Sequence, residues 1–283
     1  MKNKTILLIL MAVVISAAAV AQSPKKYWTN YDGNKVYFYD IGNRKSKTAL
    51  ILIHGWTCSA DFWKDSFNAF PKYRVIAIDL PGHGQSDKPK VDYTMQYFAR
   101  SIEAVMKEAK IEKAVLVGHS MGTPVIRQFY RLYPEQTLGL VVVDGPLRPF
   151  GPRAQMEKFF EPMFVNYGEQ GPKFIDGLLG TVRADLRPSI RPVMVATPDY
   201  VSISAMKAML DDAIWTDDKI NVPVLAIMAK NPMYPPNIED GYRAVAPNLE
   251  FKMWDGVSHF LMMEKPKEFN EVVSAFVEKN KLL

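Results

Sequence analysis

Hydrophobic residues in this chain gather into short unbroken runs, set apart by longer stretches with helical spacing. The runs over 35–39, 49–53, 75–79, 114–118, 140–144, 224–229 and 250–254 read as strands. Ala49-Leu50-Ile51-Leu52-Ile53 and Leu140-Val141-Val142-Val143 contain no polar residue, which is the pattern of strands covered on both faces. Stretches over 94–109, 121–133 and 266–279 read as amphipathic helices. Strands alternating with helices predict an α/β architecture, a mostly parallel sheet with helices on both faces.

The rhythm breaks over 146–218. This stretch is rich in Phe, Met and Pro, and Pro152, Pro162, Pro172, Pro188 and Pro192 predict short, interrupted helices. It reads as a helical insertion between two strands that caps the C-terminal edge of the sheet. An ordinary crossover is the other reading, but a single crossover rarely needs so many residues. The chain thus divides into a core over 22–145 and 219–283 and a cap over 146–218. Most Met and aromatic residues of the cap belong to its packing, and some must line the cleft below.

Length and composition agree with this layout. The chain has 283 residues, 48% hydrophobic and 23% charged, enough for one large α/β domain with a sizeable core. Lys2 and Lys4 precede an apolar run over 6–14, and Ala19-Val20-Ala21 offers a small-residue cleavage site before Gln22. Residues 1–21 therefore read as a secretory signal peptide, with a secreted or periplasmic product. The alternative is an uncleaved anchor, but the run is short for a membrane span. Loss of this segment removes two lysines and leaves a mild basic bias. No Lys/Arg run or basic-aromatic patch suggests nucleic-acid binding. Cys58 is the only cysteine, so no intramolecular disulfide can form.

The chemistry centres on Val115-Leu116-Val117-Gly118-His119-Ser120-Met121-Gly122, a buried strand, a glycine-flanked serine and a helix start. G-x-S-x-G in that setting is a nucleophile elbow, which lifts the serine hydroxyl above the sheet. Side chains at Gly118 and Gly122 would collide with backbone in so sharp a bend. Ser120 needs a base, and the chain has four histidines. His119 occupies the variable elbow position and points away from the serine. His54 and His83 sit after early strands. His259 follows the last strand, on a loop that returns over the sheet edge, and is assigned as the base.

A carboxylate must hold the imidazole, in the order Ser, acid, His. Two strand ends fall between Ser120 and His259. One carries Asp144; the other, Ala229-Lys230-Asn231-Pro232-Met233-Tyr234-Pro235-Pro236, has no carboxylate. Asp144 is the better candidate, although it could simply cap a turn. Asp255 is a third choice, close to His259 in sequence. The oxyanion donors are the backbone N–H of Met121, which follows the serine, and of Trp56, in the loop after an early strand. Asp79-Leu80-Pro81-Gly82-His83-Gly84-Gln85-Ser86 reads as a rigid structural turn. No metal-ligand cluster is visible in the sequence and the chemistry needs no cofactor.

From about Tyr31 to the C-terminus these residues resemble the α/β-hydrolase superfamily, in its cap-bearing branch of esterases, C–C bond hydrolases, dehalogenases and epoxide hydrolases. The motifs that carry the likeness are His54-Gly55-Trp56, Asp79 to Ser86, Gly118 to Gly122 and Gly256-Val257-Ser258-His259-Phe260. The resemblance implies an eight-stranded, mostly parallel sheet. Family members commonly carry the acid in a G-x-x-D-x-x-x-P loop, where this chain has Pro232. Some relatives place it after the preceding strand, where Asp144 stands; an absent acid is the other possibility. A serine rather than an aspartate in the elbow argues against dehalogenase and epoxide hydrolase chemistry.

The expected function is hydrolysis of an ester or related acyl bond of a small, largely apolar substrate. C–C bond, lactone or amide hydrolysis would use the same residues. A catalytically silent fold used for binding is a further reading, supported only by the missing carboxylate at 232.

Overall fold

A computed structural model of the chain describes residues 24–149, 151–232 and 234–283. The expected signal peptide over 1–21 lies outside the described residues. The elements run β1 (Lys25–Tyr31), β2 (Asn34–Ile41), β3 (Thr48–Ile53), β4 (Val75–Ile78), α1 (Met95–Glu108), β5 (Lys113–His119), α2 (Gly122–Leu132) and β6 (Thr137–Val143). Four helices follow, α3 (Arg153–Val165), α4 (Tyr167–Leu179), α5 (Arg187–Val195) and α6 (Asp199–Met209). The chain closes with β7 (Val224–Ala229), α7 (Ile238–Val245), β8 (Leu249–Trp254), α8 (Leu261–Glu264) and α9 (Pro266–Lys279).

The strands form one eight-stranded sheet in the order β1-β2-β4-β3-β5-β6-β7-β8. From β4 to β8 every neighbour is parallel; β2 runs antiparallel to both β1 and β4. β4 and β7 are buried at every position and β3 at all but its first, as their unbroken apolar runs require. The apolar face of α1 (Phe98, Ile102, Val105) and that of α2 (Val125, Ile126, Phe129) are buried together with the strands in one continuous core. Thr94 caps α1, its hydroxyl accepting the Tyr97 N–H at 3.0 Å.

β1 is absent from the expected strands. It is an edge strand with mostly exposed or half-exposed positions, so no apolar run marks it. The signal lay in its turn: Asp32-Gly33, with φ of 52° and 77°, joins β1 to β2 in a two-residue hairpin.

The stretch between β6 and β7 is helical, but its prolines act differently from expectation. Pro152 caps α3 and Pro188 sits in the first turn of α5, where a missing N–H costs nothing. Pro162, Pro172 and Pro192 lie inside helices that nonetheless continue. Each gives up a ladder bond, and packing of α4 against α3, α5 and α6 keeps the helices whole.

Arg127, on the helix behind the elbow, holds both ends of this insertion. Its buried guanidinium donates to the carbonyls of Leu147 and Thr216 and pairs with Asp218 at 3.2 Å. Loops from the sheet secure α6: Trp56 Nε1–H donates to Ser202 O at 2.8 Å, and the Tyr200 hydroxyl donates to Lys88 O at 2.6 Å. The insertion is thereby fixed over the C-terminal edge, where ligands bind in parallel α/β sheets.

Candidate active site

Ser120 stands one residue past β5, with φ of 53°. A non-glycine residue in the left-handed region is uncommon and costs energy, which the surroundings must enforce. A Cβ on Gly118 would lie 2.4 Å from Gly122 O, and one on Gly122 would lie 2.6 Å from Ile53 O. Both contacts are with backbone, so the bend tolerates glycine alone. Two further residues near the serine share the left-handed conformation, Thr57 at 57° and Asp144 at 42°. Gly55 and Gly145 bring their loops against it: added Cβ atoms would lie 3.0 Å from Ser120 Cβ and 2.5 Å from Ser120 O, respectively.

Asp144 steps out of β6 and turns back over the sheet. Its carboxylate is 2% exposed and meets His259, with 2.7 Å between Oδ2 and Nδ1. A carboxylate only accepts, so His259 carries its proton on Nδ1 and leaves Nε2 as a base. Asp144 Oδ1 accepts the Ala229 N–H at 2.8 Å, and the Tyr234 hydroxyl also bonds the carboxylate. Burial first, then the charge of Asp144, push the Tyr234 phenol pKa up. Ala229 and Tyr234 bracket the loop that lacks an acid of its own. Asp255 is elsewhere: it is exposed and pairs with Lys230 at 3.0 Å, which removes it as a partner for His259.

The loop carrying His259 is pinned on two sides. Glu264 accepts the Ser258 N–H at 2.6 Å and the Ser258 hydroxyl at 2.9 Å, and also takes the Arg183 N–H from the insertion at 2.8 Å. His119 Nε2 lies 2.8 Å from His259 O. Burial, followed by the field of His259, holds His119 well below the usual histidine range, so this bond is donated by a neutral ring. Sequence reading took His119 as a bystander and missed Glu264 altogether.

His54 and His83 are structural. His54 accepts the Leu80 N–H on Nε2 at 3.1 Å, and its Nδ1 lies 2.8 Å from Gly55 O. His83 Nδ1 lies 3.0 Å from Pro81 O. Asp79 fastens the same turn, accepting the Ala60 N–H at 2.8 Å and the Gln85 N–H at 3.0 Å.

Ser120, His259, Trp56 and Met121 line one cavity of about 1550 Å³ between the sheet edge and the insertion. Among the described residues Ser120 Oγ makes no hydrogen bond to His259, and the Trp56 and Met121 amides donate to no protein acceptor. Both residues are buried, and both line the cavity. Among the described residues, no three His, Cys, Asp or Glu side chains are grouped to hold a metal, and no helix is long and apolar enough to cross a membrane.

The family model described as alpha/beta hydrolase fold matches residues 48–191, from β3 through the elbow into α5. The chain belongs to the alpha/beta hydrolase fold family. Among solved structures of this fold, a thermophilic esterase is 27% identical with a TM-score of 0.73, over 91% of this chain and 99% of that one. An N-acyl homoserine lactone degrading enzyme is 25% identical with a TM-score of 0.71, over 88% of this chain and 100% of that one. A non-heme chloroperoxidase of Streptomyces lividans is 27% identical, over 88% of this chain and 98% of its own length. In this alpha/beta hydrolase the elbow, the Trp56 loop and Asp144 all fall within the matched residues, while His259 lies beyond them.

Proposed function

We propose that this alpha/beta hydrolase is a serine hydrolase that cleaves an ester or related acyl bond of a largely apolar small molecule. Ser120 Oγ attacks the acyl carbon while His259 Nε2 takes the hydroxyl proton. Asp144 stabilises the imidazolium, and the Trp56 and Met121 amides hold the oxyanion. Collapse breaks the bond to the leaving group, which takes the proton from His259. Water, activated by the same histidine, attacks the acyl-enzyme and restores Ser120.

The observation that carries this reading is the Asp144–His259 hydrogen bond of 2.7 Å on the cavity that Ser120 also lines. It speaks against a silent binding fold, whose only support in the sequence was a missing acid. An esterase and an N-acyl homoserine lactone degrading enzyme stand among the similar structures, and an N-acyl homoserine lactone carries two acyl bonds, a cyclic ester and an amide. The N-terminal segment adds the proposal that the enzyme is exported and works outside the cytoplasm.

The test is hydrolysis of p-nitrophenyl acetate by the wild type and by Ser120→Ala. The expected result is a kcat loss of at least about 10³-fold. A variant that hydrolyses the ester at the wild-type rate would overturn the proposal.

A further inference from the structure

The cavity is far larger than a short ester requires, and one of its walls is continuous in its chemistry. Trp56 supplies an oxyanion amide, and its indole begins a chain of ring contacts. The Trp56 and Phe174 rings meet edge-on with centroids 5.7 Å apart. Phe174 meets Phe160 at 5.6 Å, and Phe160 meets Phe159 at 4.9 Å. All four line the cavity, and Phe159 is 54% exposed, so the track runs from the reacting centre to solvent. The cavity is also lined by Leu178 and Met206. Aliphatic side chains of this kind, Met above all, adapt to chains of different length.

Chemistry assigns the track to the acyl side. The leaving group takes its proton from His259 and must lie beside that ring. The rings packed on His259 are His119 and Phe260, at 4.7 and 5.4 Å, and neither belongs to the track.

Resting on the acyl-transfer reading above, we infer that Trp56, Phe174, Phe160 and Phe159 form a subsite for a linear, unbranched acyl chain of medium length. Preference for the chain comes from burial of successive methylenes along the rings. Each methylene buried raises kcat/KM about fourfold when the gain is fully expressed in the transition state.

The experiment is a kcat/KM series on p-nitrophenyl acetate, butyrate, hexanoate and octanoate, with benzoate beside them. The inference expects a rise of roughly two- to fourfold per methylene, with octanoate well above benzoate. A flat or falling series, or a preference for benzoate, overturns it. Phe160→Trp, which narrows the track, is expected to lower the octanoate-to-acetate ratio at least about tenfold. Phe174→Leu, which removes a ring without adding bulk, is expected to lower the same ratio and covers a misfolded tryptophan variant. An unchanged ratio in a folded variant overturns the subsite. Failure of the acyl-transfer reading looks different: no ester of any length is turned over.

Discussion

Asp144 accepts the Ala229 N–H at 2.8 Å across the ends of two neighbouring strands. The pairing of β6 with β7, Val143 beside Ile227, sets this contact. It explains how an acid can stand after β6 while the loop after β7 has none. That loop supplies donors to the carboxylate through Ala229 and Tyr234. The Asp144 side chain is therefore held on two sides and aimed at His259.

Asp144→Asn tests this arrangement with little steric change, because asparagine tolerates the left-handed backbone at this position. The amide can no longer stabilise an imidazolium and favours the wrong tautomer. We expect kcat to fall roughly 10³- to 10⁴-fold with KM little altered. Steady-state kinetics would check it, and a loss below about tenfold would remove Asp144 from the mechanism.

Glu264 fixes the loop that carries His259 through its two hydrogen bonds to Ser258. Glu264→Ala leaves the Ser258 and Arg183 N–H groups without their acceptor. The expected cost is about 1–3 kcal/mol of stability, with a kcat drop of about tenfold from a loosened base. Glu264→Gln keeps a carbonyl acceptor and should recover most of both. Chemical denaturation and kinetics on the two variants separate positioning from plain packing: Gln no better than Ala would deny it.

Gly118→Ala places a Cβ 2.4 Å from the Gly122 carbonyl oxygen, a contact no side-chain movement can relieve. Destabilisation of about 2–3 kcal/mol is expected. At Gly33 nothing lies within 4 Å of an added Cβ, but φ is +77°. Gly33→Asn, which tolerates that conformation, should cost far less. Melting temperatures of the two variants give the comparison.

The buried histidines set a pH dependence of stability. Burial pushes His54 down to about 4; burial, then His54, pushes His83 down to about 3. Unfolded histidine titrates near pH 6.5, so as pH falls the unfolded chain binds these protons first. Their contribution is complete above about pH 6.5 and is lost as pH falls toward about 4 and then 3, by up to about 1.4 kcal/mol per unit for each ring. Urea midpoints should drop between about pH 6.5 and pH 5. A midpoint that holds or rises over this window would contradict the burial of neutral rings.

Cys58 lines the cavity but is 1% exposed, and its thiol donates to Trp56 O at 3.3 Å. Burial pushes its pKa up, which suppresses the thiolate. Iodoacetamide should leave native activity intact and alkylate the chain only after unfolding. Rapid inactivation of the native enzyme would bring a thiol into the chemistry.

Much of this was legible in the sequence because the residues involved are neighbours along the chain. The elbow is contiguous, and its apolar strand and amphipathic helix announce themselves. Chain order, the strand ends that carry Asp144 and His259, and the family resemblance pointed to these two residues. The supporting residues were hidden because their partners are distant: Glu264 meets Arg183, and Arg127 of α2 meets Leu147 and Thr216 at opposite ends of the insertion. No local pattern encodes such contacts. β1 escaped because an edge strand need not be apolar. The prolines of α3, α4 and α5 misled because tertiary packing outweighed a local preference against helix.

The central claim is that Ser120 is a nucleophile activated in this cavity. Treatment with a fluorophosphonate, followed by intact-mass measurement and peptide mapping, tests it most directly. The expected result is one adduct per chain, on Ser120, formed in step with complete loss of esterase activity and absent in Ser120→Ala. Full activity in a chain that takes no adduct at Ser120 would contradict it.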